Sequence, residues 1–131
     1  MKHIIFKVVV IFWRLIPFKK FFSLFIKSNK YFLNKFYQDL RFKGIMQIQI
    51  ESQTLKLYNP GFTTIENEIF WLGINEGWEK ISLKIWQQLA INAETIFDIG
   101  ANSGVYSFVA NKLNSNAIIY AFEPVKNGLT D

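Results

Sequence analysis

The spacing of hydrophobic positions changes along the 131-residue chain, and each change predicts a different element. Near the N-terminus Ile4, Ile5, Val8, Ile11, Phe12 and Leu15 cover most of a helical projection, while His3, Lys7 and Arg14 share a narrow sector. Pro17 breaks or kinks that helix, and Phe21, Phe22, Phe25 and Ile26 begin a second apolar stripe. From Ile45 to Leu57 the period becomes two. Met46, Ile48 and Ile50 alternate with Gln47, Gln49 and Glu51, and Leu55 and Leu57 return after a Ser52-Gln53 turn, which predicts a β-hairpin serving as a lid or edge beside a main sheet. Asn59-Pro60-Gly61 closes it as a loop. Thr63-Thr64-Ile65-Glu66 fits a capping box and predicts a short helix to about Leu72, interrupted by Gly73–Gly77. Trp78, Ile81, Ile85 and Leu89 then recur at helical spacing, predicting a helix that packs on the sheet through that stripe.

The last segment switches twice. Thr95–Ile99 is a short apolar run of β-formers with Asp98 near its end, and Gly100–Gly104 turns the chain. Val105, Phe108, Val109 and Leu113 give a one-faced helix, and Ala117–Phe122 is a second apolar run closed by Glu123-Pro124. A helical crossover makes the two strands parallel, so a βαβ unit is expected. Three segments follow: a basic aromatic helical extension (1–43), a β-hairpin and helical cap (44–94), and the start of an α/β domain (95–131).

Charge separates the first segment from the rest. Residues 1–50 carry ten Lys/Arg against Asp39 alone, a net +9, whereas residues 51–131 carry five basic and nine acidic groups, a net −4. Nine of the 14 Phe also lie in 1–43, so this stretch is both cationic and aromatic. A span over Ile4–Ile26 is opposed by Arg14 near its middle, at about 2.5–3.5 kcal/mol, and by Lys7, Lys19 and Lys20 beside it. A signal peptide is opposed by the short uncharged run Val8–Trp13 with no small-residue cleavage site after it. Three readings stay open for 1–43: helices that cap the domain and bury their aromatics, a layer lying on an anionic membrane surface, or a nucleic-acid contact. The last is disfavoured by only two arginines and no recognition motif. Absence of cysteine removes disulfides and thiolate metal sites, and the lone His3 is distant from the glycine turn, so neither a metal nor a His dyad is expected.

The chemistry concentrates at the glycine turn. Ligands of open parallel sheets bind beyond the carboxyl ends of the strands, where glycine lets them approach the main chain. Glu123, 23 residues after Gly100, falls where a carboxylate can accept both hydroxyls of a ribose. The spacing D-x-G-x-x-x-G, with Asn102 where a dinucleotide fingerprint needs glycine, and the lack of a Gly-Lys-Ser/Thr sequence argue against NAD and ATP. Asp98 would repel a diphosphate and suits an ammonium or sulfonium, which favours S-adenosylmethionine. Gly100, Ala101 and Gly104 are candidates for backbone approach to its amino-acid moiety, Asp98 for its ammonium and Glu123 for its ribose. Strand-to-helix packing is the structural alternative for the glycines, turn capping for Asp98, and helix capping for Asn102, which is equally a candidate for cofactor contact. Glu76 and Glu79 are read as complements to a helix dipole rather than ligand groups.

FDIGANSGVYSF (Phe97–Phe108), IIYAFEP (Ile118–Pro124) and the upstream EGWEKISLKIWQQL (Glu76–Leu89) resemble the FkbM family of class I S-adenosylmethionine-dependent methyltransferases. The resemblance covers about Phe70 to Lys126. It implies a Rossmann-like α/β fold of seven strands, of which only the first βαβ unit can be placed, preceded by the basic amphipathic helices and the hairpin. An N-terminal fragment, inactive alone, is therefore expected, with the Asn127-Gly128 turn standing where the family would continue into another helix. The resemblance further implies O-methylation of a hydroxylated small molecule such as a sugar or glycan, in the cytoplasm. The alternative is a truncated, non-catalytic chain held at the inner membrane face by residues 1–43. With no histidine near the turn, the base that would deprotonate the acceptor is not identified.

Overall fold

The computed structural model describes residues 2–77 and 79–124, with side chains from residue 7 onward. The architecture is mixed α/β: α1 (Lys2–Leu15), α2 (Lys19–Ser28), α3 (Lys30–Phe36), β1 (Gly44–Ile50), β2 (Gln53–Asn59), α4 (Thr64–Leu72), α5 (Lys80–Ala90), β3 (Thr95–Ile99), α6 (Val105–Leu113) and β4 (Ile118–Phe122). Two compact units emerge, one of Met1–Met46 with Leu57–Gly73 and the other of Gln47–Lys56 with Ile74–Asp131. The segment expected at 44–94 is thus shared between them.

The first unit is built around an irregular stretch, residues 37–42, whose peptide groups need partners because no ladder supplies them. Side chains do so. Asn67 of α4 accepts from the Phe42 N–H at 3.1 Å and donates to the Tyr37 carbonyl at 3.0 Å. The Trp71 indole donates to the Leu40 carbonyl at 2.6 Å, and the Trp13 indole of α1 to the Arg41 carbonyl at 2.8 Å. Aromatic packing follows these anchors: Phe42 stacks on Phe70 at 3.8 Å between ring centres, and Trp13 leans on Trp71 at 5.2 Å. Leu33, Phe36 and Leu40 complete this core.

Helix ends match the sequence signals unevenly. Pro17 separates α1 from α2, and Asn29 closes α2 and opens α3 with its side chain accepting from the Phe32 N–H at 3.0 Å. Thr63 stands at the N-cap of α4, yet the expected capping box is not made. Glu66 is turned into the interior, 1% exposed, and neither its carboxylate oxygens nor the Thr63 hydroxyl has a hydrogen-bond partner among the described residues.

The hairpin has the expected faces: Met46, Ile48, Ile50 and Leu57 are buried and the intervening Gln47, Gln49 and Lys56 exposed. Its turn falls at Glu51-Ser52, one residue earlier than expected, with Glu51 at φ 50°. Gln49 fixes it there, donating to the Glu51 carbonyl at 3.0 Å and accepting from Thr54 at 3.1 Å.

In the second unit β3 and β4 pair in parallel with Phe97 opposite Tyr120 and Asp98 opposite Ala121, joined through α6. Ile96 packs with Ala90 of α5 and Ala110 of α6, and Trp86 and Ile119 border this small core. The orientation of α5 corrects the sequence expectation. Ile81, Ile85 and Leu89 are 67%, 51% and 67% exposed, while Leu83, Gln87 and Ala90 face inward; Trp78 lies outside the described residues. The reason is that small residues and polar handles set the helix's rotation. Ala90 admits close approach to Ile96, the Trp86 indole donates to the Tyr106 carbonyl at 2.8 Å, and Gln87 donates to Asn75 at 3.3 Å. Asn114, closing α6, donates to the carbonyls of Ala90 and Ala93 and ties the two helices at their ends. Phe108 likewise departs from the expected core face and is 47% exposed.

Candidate functional site

The turn after β3 bends through three left-handed residues: Gly100 (φ 82°), Asn102 (φ 50°) and Gly104 (φ 80°). Glycine meets this demand without strain, and asparagine tolerates it better than most residues. The two glycines differ in surroundings. A Cβ on Gly104 would come within 3.2 Å of the Phe108 ring, so the positive φ is what calls for glycine there and the close ring adds to it. A Cβ on Gly100 would meet nothing within 4 Å, so the turn is open on that side.

The end of β4 holds this turn. Gly100 and Ala101 both donate their N–H to the Phe122 carbonyl, at 2.8 and 3.0 Å, and the Asn102 N–H donates to Oε2 of Glu123 at 2.8 Å. The Gly104 N–H donates back to the Ala101 carbonyl at 2.7 Å. Glu123 therefore sits at the mouth of the turn, beside Gly100–Asn102, and is exposed. Its position follows from the parallel register, which sets Ile99 opposite Phe122 and brings the residue after each strand to the same edge.

Asp98 has a different station. It is 9% exposed, and its Oδ2 accepts from the Ser107 hydroxyl at 2.6 Å and the Ser107 N–H at 3.1 Å. Ser107 is the third residue of α6, and the N-cap itself is Gly104, which has no side chain to offer. Asp98 supplies the missing cap from the neighbouring strand, adding a negative charge where the helix dipole favours one. Asn102, read as a candidate cap, precedes the N-cap position by two residues.

Sequence reasoning missed the pair behind the turn. The Tyr106 hydroxyl donates to Glu79 at 2.7 Å, and its ring meets Trp86 edge to face at 5.4 Å. Burial, then the hydrogen bond and charge of Glu79, push the Tyr106 hydroxyl up to about 12. Glu79, expected at the dipole of α5, stands at the N-cap of that helix and is also this acceptor. Tyr106 follows the glycine turn by two residues, which is the one signal that could have found it. The apolar hollow of this unit, about 240 Å³, lies at the opposite end of β3, against Thr95–Phe97.

The arrangement can accept hydrogen bonds from hydroxyls through Glu123. Four main-chain N–H groups of the turn are engaged within the protein, and both nearby acids are carboxylates. Among the described residues no cluster of His, Asp or Glu could hold a metal ion. The class defined on these observations is a mixed α/β protein with a parallel βαβ unit and an acidic, glycine-built turn. Compared with protein-family models, curated proteins and solved structures, the chain matches none.

Proposed function

We propose that the β3–α6 turn is the adenosyl side of an S-adenosylmethionine site, in a Rossmann-like class I methyltransferase domain of the FkbM kind. The observation that carries this reading is Glu123 at the mouth of the turn, its Oε2 2.8 Å from the Asn102 nitrogen. Carboxylate oxygens have about four lone-pair sites between them, so that bond is compatible with acceptance of a ribose diol. The engaged N–H groups of Gly100, Ala101, Asn102 and Gly104 support the same choice, since a diphosphate would need such donors for itself.

Bound there, S-adenosylmethionine would supply a methyl group on a positively charged sulfur, passed to a hydroxyl of a sugar or other small acceptor. The chain's own residues bind and orient. Gly100 leaves the approach to the main chain clear, Glu123 takes the ribose, and Asp98 holds the first turn of α6 in place through Ser107. Asp98 is thereby a positioning residue.

Titration calorimetry on the full chain tests the proposal. Heat of binding is expected with S-adenosylmethionine and none with NAD. Glu123→Ala should weaken binding about tenfold or more, the worth of a charge-assisted hydrogen bond. Gly100→Val, which puts a β-branched side chain at φ 82° on the open side, should abolish it. Unchanged affinity in both variants, or preference for NAD, rules the assignment out.

A further inference from the structure

We propose that α1 and α2 form a docking face that lies in the interface of an anionic lipid bilayer, with their outward phenylalanines among the acyl chains. Helix α2 is turned inside out for a domain in water. Phe18, Phe21, Leu24 and Phe25 are 72%, 59%, 65% and 65% exposed, while its buried residue is Ser23, whose hydroxyl donates to the Lys20 carbonyl at 2.7 Å. Lys27 turns toward the domain, its ammonium 4.3 Å from the centre of the Phe70 ring. Helix α1 continues the surface with Val8, Ile11, Phe12 and Leu15, each more than half exposed. The aromatic rings are ordered against one another, with Phe21 edge-on to Phe22 and Phe25 at 5.8 and 5.5 Å. Between the helices runs a groove of about 340 Å³ lined only by apolar side chains, among them Val8, Phe12, Ile16, Phe22 and Phe25.

Charge decides the occupant. Residues 1–38 hold eight Lys/Arg and no Asp or Glu. A second copy of this chain meeting the face with its own would bring the same cations against them, whereas an anionic bilayer offers both opposite charge and hydrocarbon. No helix among the described residues is long and apolar enough to cross a membrane, and α1 and α2 span only 14 and 10 residues, so the face lies along the surface.

The test is co-sedimentation of the full chain with vesicles of phosphatidylglycerol mixed into phosphatidylcholine, against pure phosphatidylcholine. Binding is expected only to the anionic vesicles and should fall as salt rises. Phe21→Ser with Phe25→Ser should weaken it about a hundredfold, from the hydrophobic transfer of two rings. Lys20→Gln should weaken it about fivefold. All three are exposed positions, and unchanged near-ultraviolet circular dichroism from the Trp13–Trp71 pair would certify the fold. Absence of vesicle binding, equal binding to both compositions, or full retention in the double variant overturns the proposal. So does a dimer that these substitutions dissolve in a chain that ignores vesicles.

Discussion

Two surfaces of this molecule leave large apolar side chains in water, and they differ in what accompanies the exposure. On α1 and α2 the phenylalanines stand among lysines, and the helices beneath them satisfy their own peptide groups. On the sheet, the face opposite α6 shows Phe97, Ile99, Ile118, Tyr120 and Phe122, from 47% to 82% exposed, with no charged residue along it. Parallel sheets are ordinarily covered on both faces, and a pair of strands also leaves edges with unpaired donors and acceptors. The first surface has the composition of a boundary between water and hydrocarbon. The second has that of a protein core.

That contrast predicts separate responses. The uncovered sheet face is expected to drive self-association, and Phe97→Lys with Phe122→Lys should weaken that association about a hundredfold, given the transfer free energy of two half-exposed rings, as read by sedimentation velocity. Phe21→Ser with Phe25→Ser should leave self-association unchanged while removing vesicle binding. If both double variants alter self-association alike, the distinction between the surfaces is lost.

The two units also differ in how irregular backbone is tied down, and the next effects are smaller. In the first, side chains strap residues 37–42; Asn67→Ala releases the Phe42 N–H and the Tyr37 carbonyl and should cost about 2 kcal/mol in denaturant unfolding. In the second, a carboxylate caps a helix from another element. Asp98→Ala should cost a similar ~2 kcal/mol by uncapping Ser107, yet weaken S-adenosylmethionine binding less than Glu123→Ala. Equal loss of binding in the two acid variants would return Asp98 to the ligand.

Much of this organisation was legible because it depends on local pattern. The hairpin faces, the break at Pro17 and the βαβ boundaries follow from periodicity and from Gly and Pro positions, and α4 starts at Thr64 as the capping-box pattern placed it although the box itself is not made. Glu123 was legible for a related reason: parallel register carries the ends of both strands to one edge, so a residue after the second strand must meet the turn after the first. What pattern could not fix was rotation about a helix axis. Helix α5 carries two stripes, and Ile81, Ile85 and Leu89 read as the inner one. The structure selects Leu83, Gln87 and Ala90, because an alanine surface against Ile96 and the hydrogen-bonding needs of Trp86 and Gln87 outweigh three aliphatic side chains. The partner of Asp98 was hidden likewise, since a cap nine residues away looks like no local motif.

Alkaline pH gives the last and smallest separation of the units. In the first, burial lowers the Lys27 ammonium from its ordinary 10.5, so the folded state holds fewer protons there than the unfolded chain, and stability rises with pH up to about that value. Burial and Glu68 raise the Tyr37 hydroxyl and act against it. In the second, Tyr106 is raised from 10.0 to about 12, so its contribution is present below pH 10 and declines as pH climbs to 12, where the folded state must give up a proton it retains beside Glu79. A difference of that size is at most about 2.7 kcal/mol, and solvent screening at a partly exposed hydroxyl brings it under about 1 kcal/mol. Unfolding midpoints of the wild type and Tyr106→Phe, measured at intervals across that window, should converge as pH rises, with the wild type losing the more stability. Parallel curves would mean that Glu79 does not hold the phenol in solution, and the support behind the glycine turn would have to come from the Trp86 contact alone.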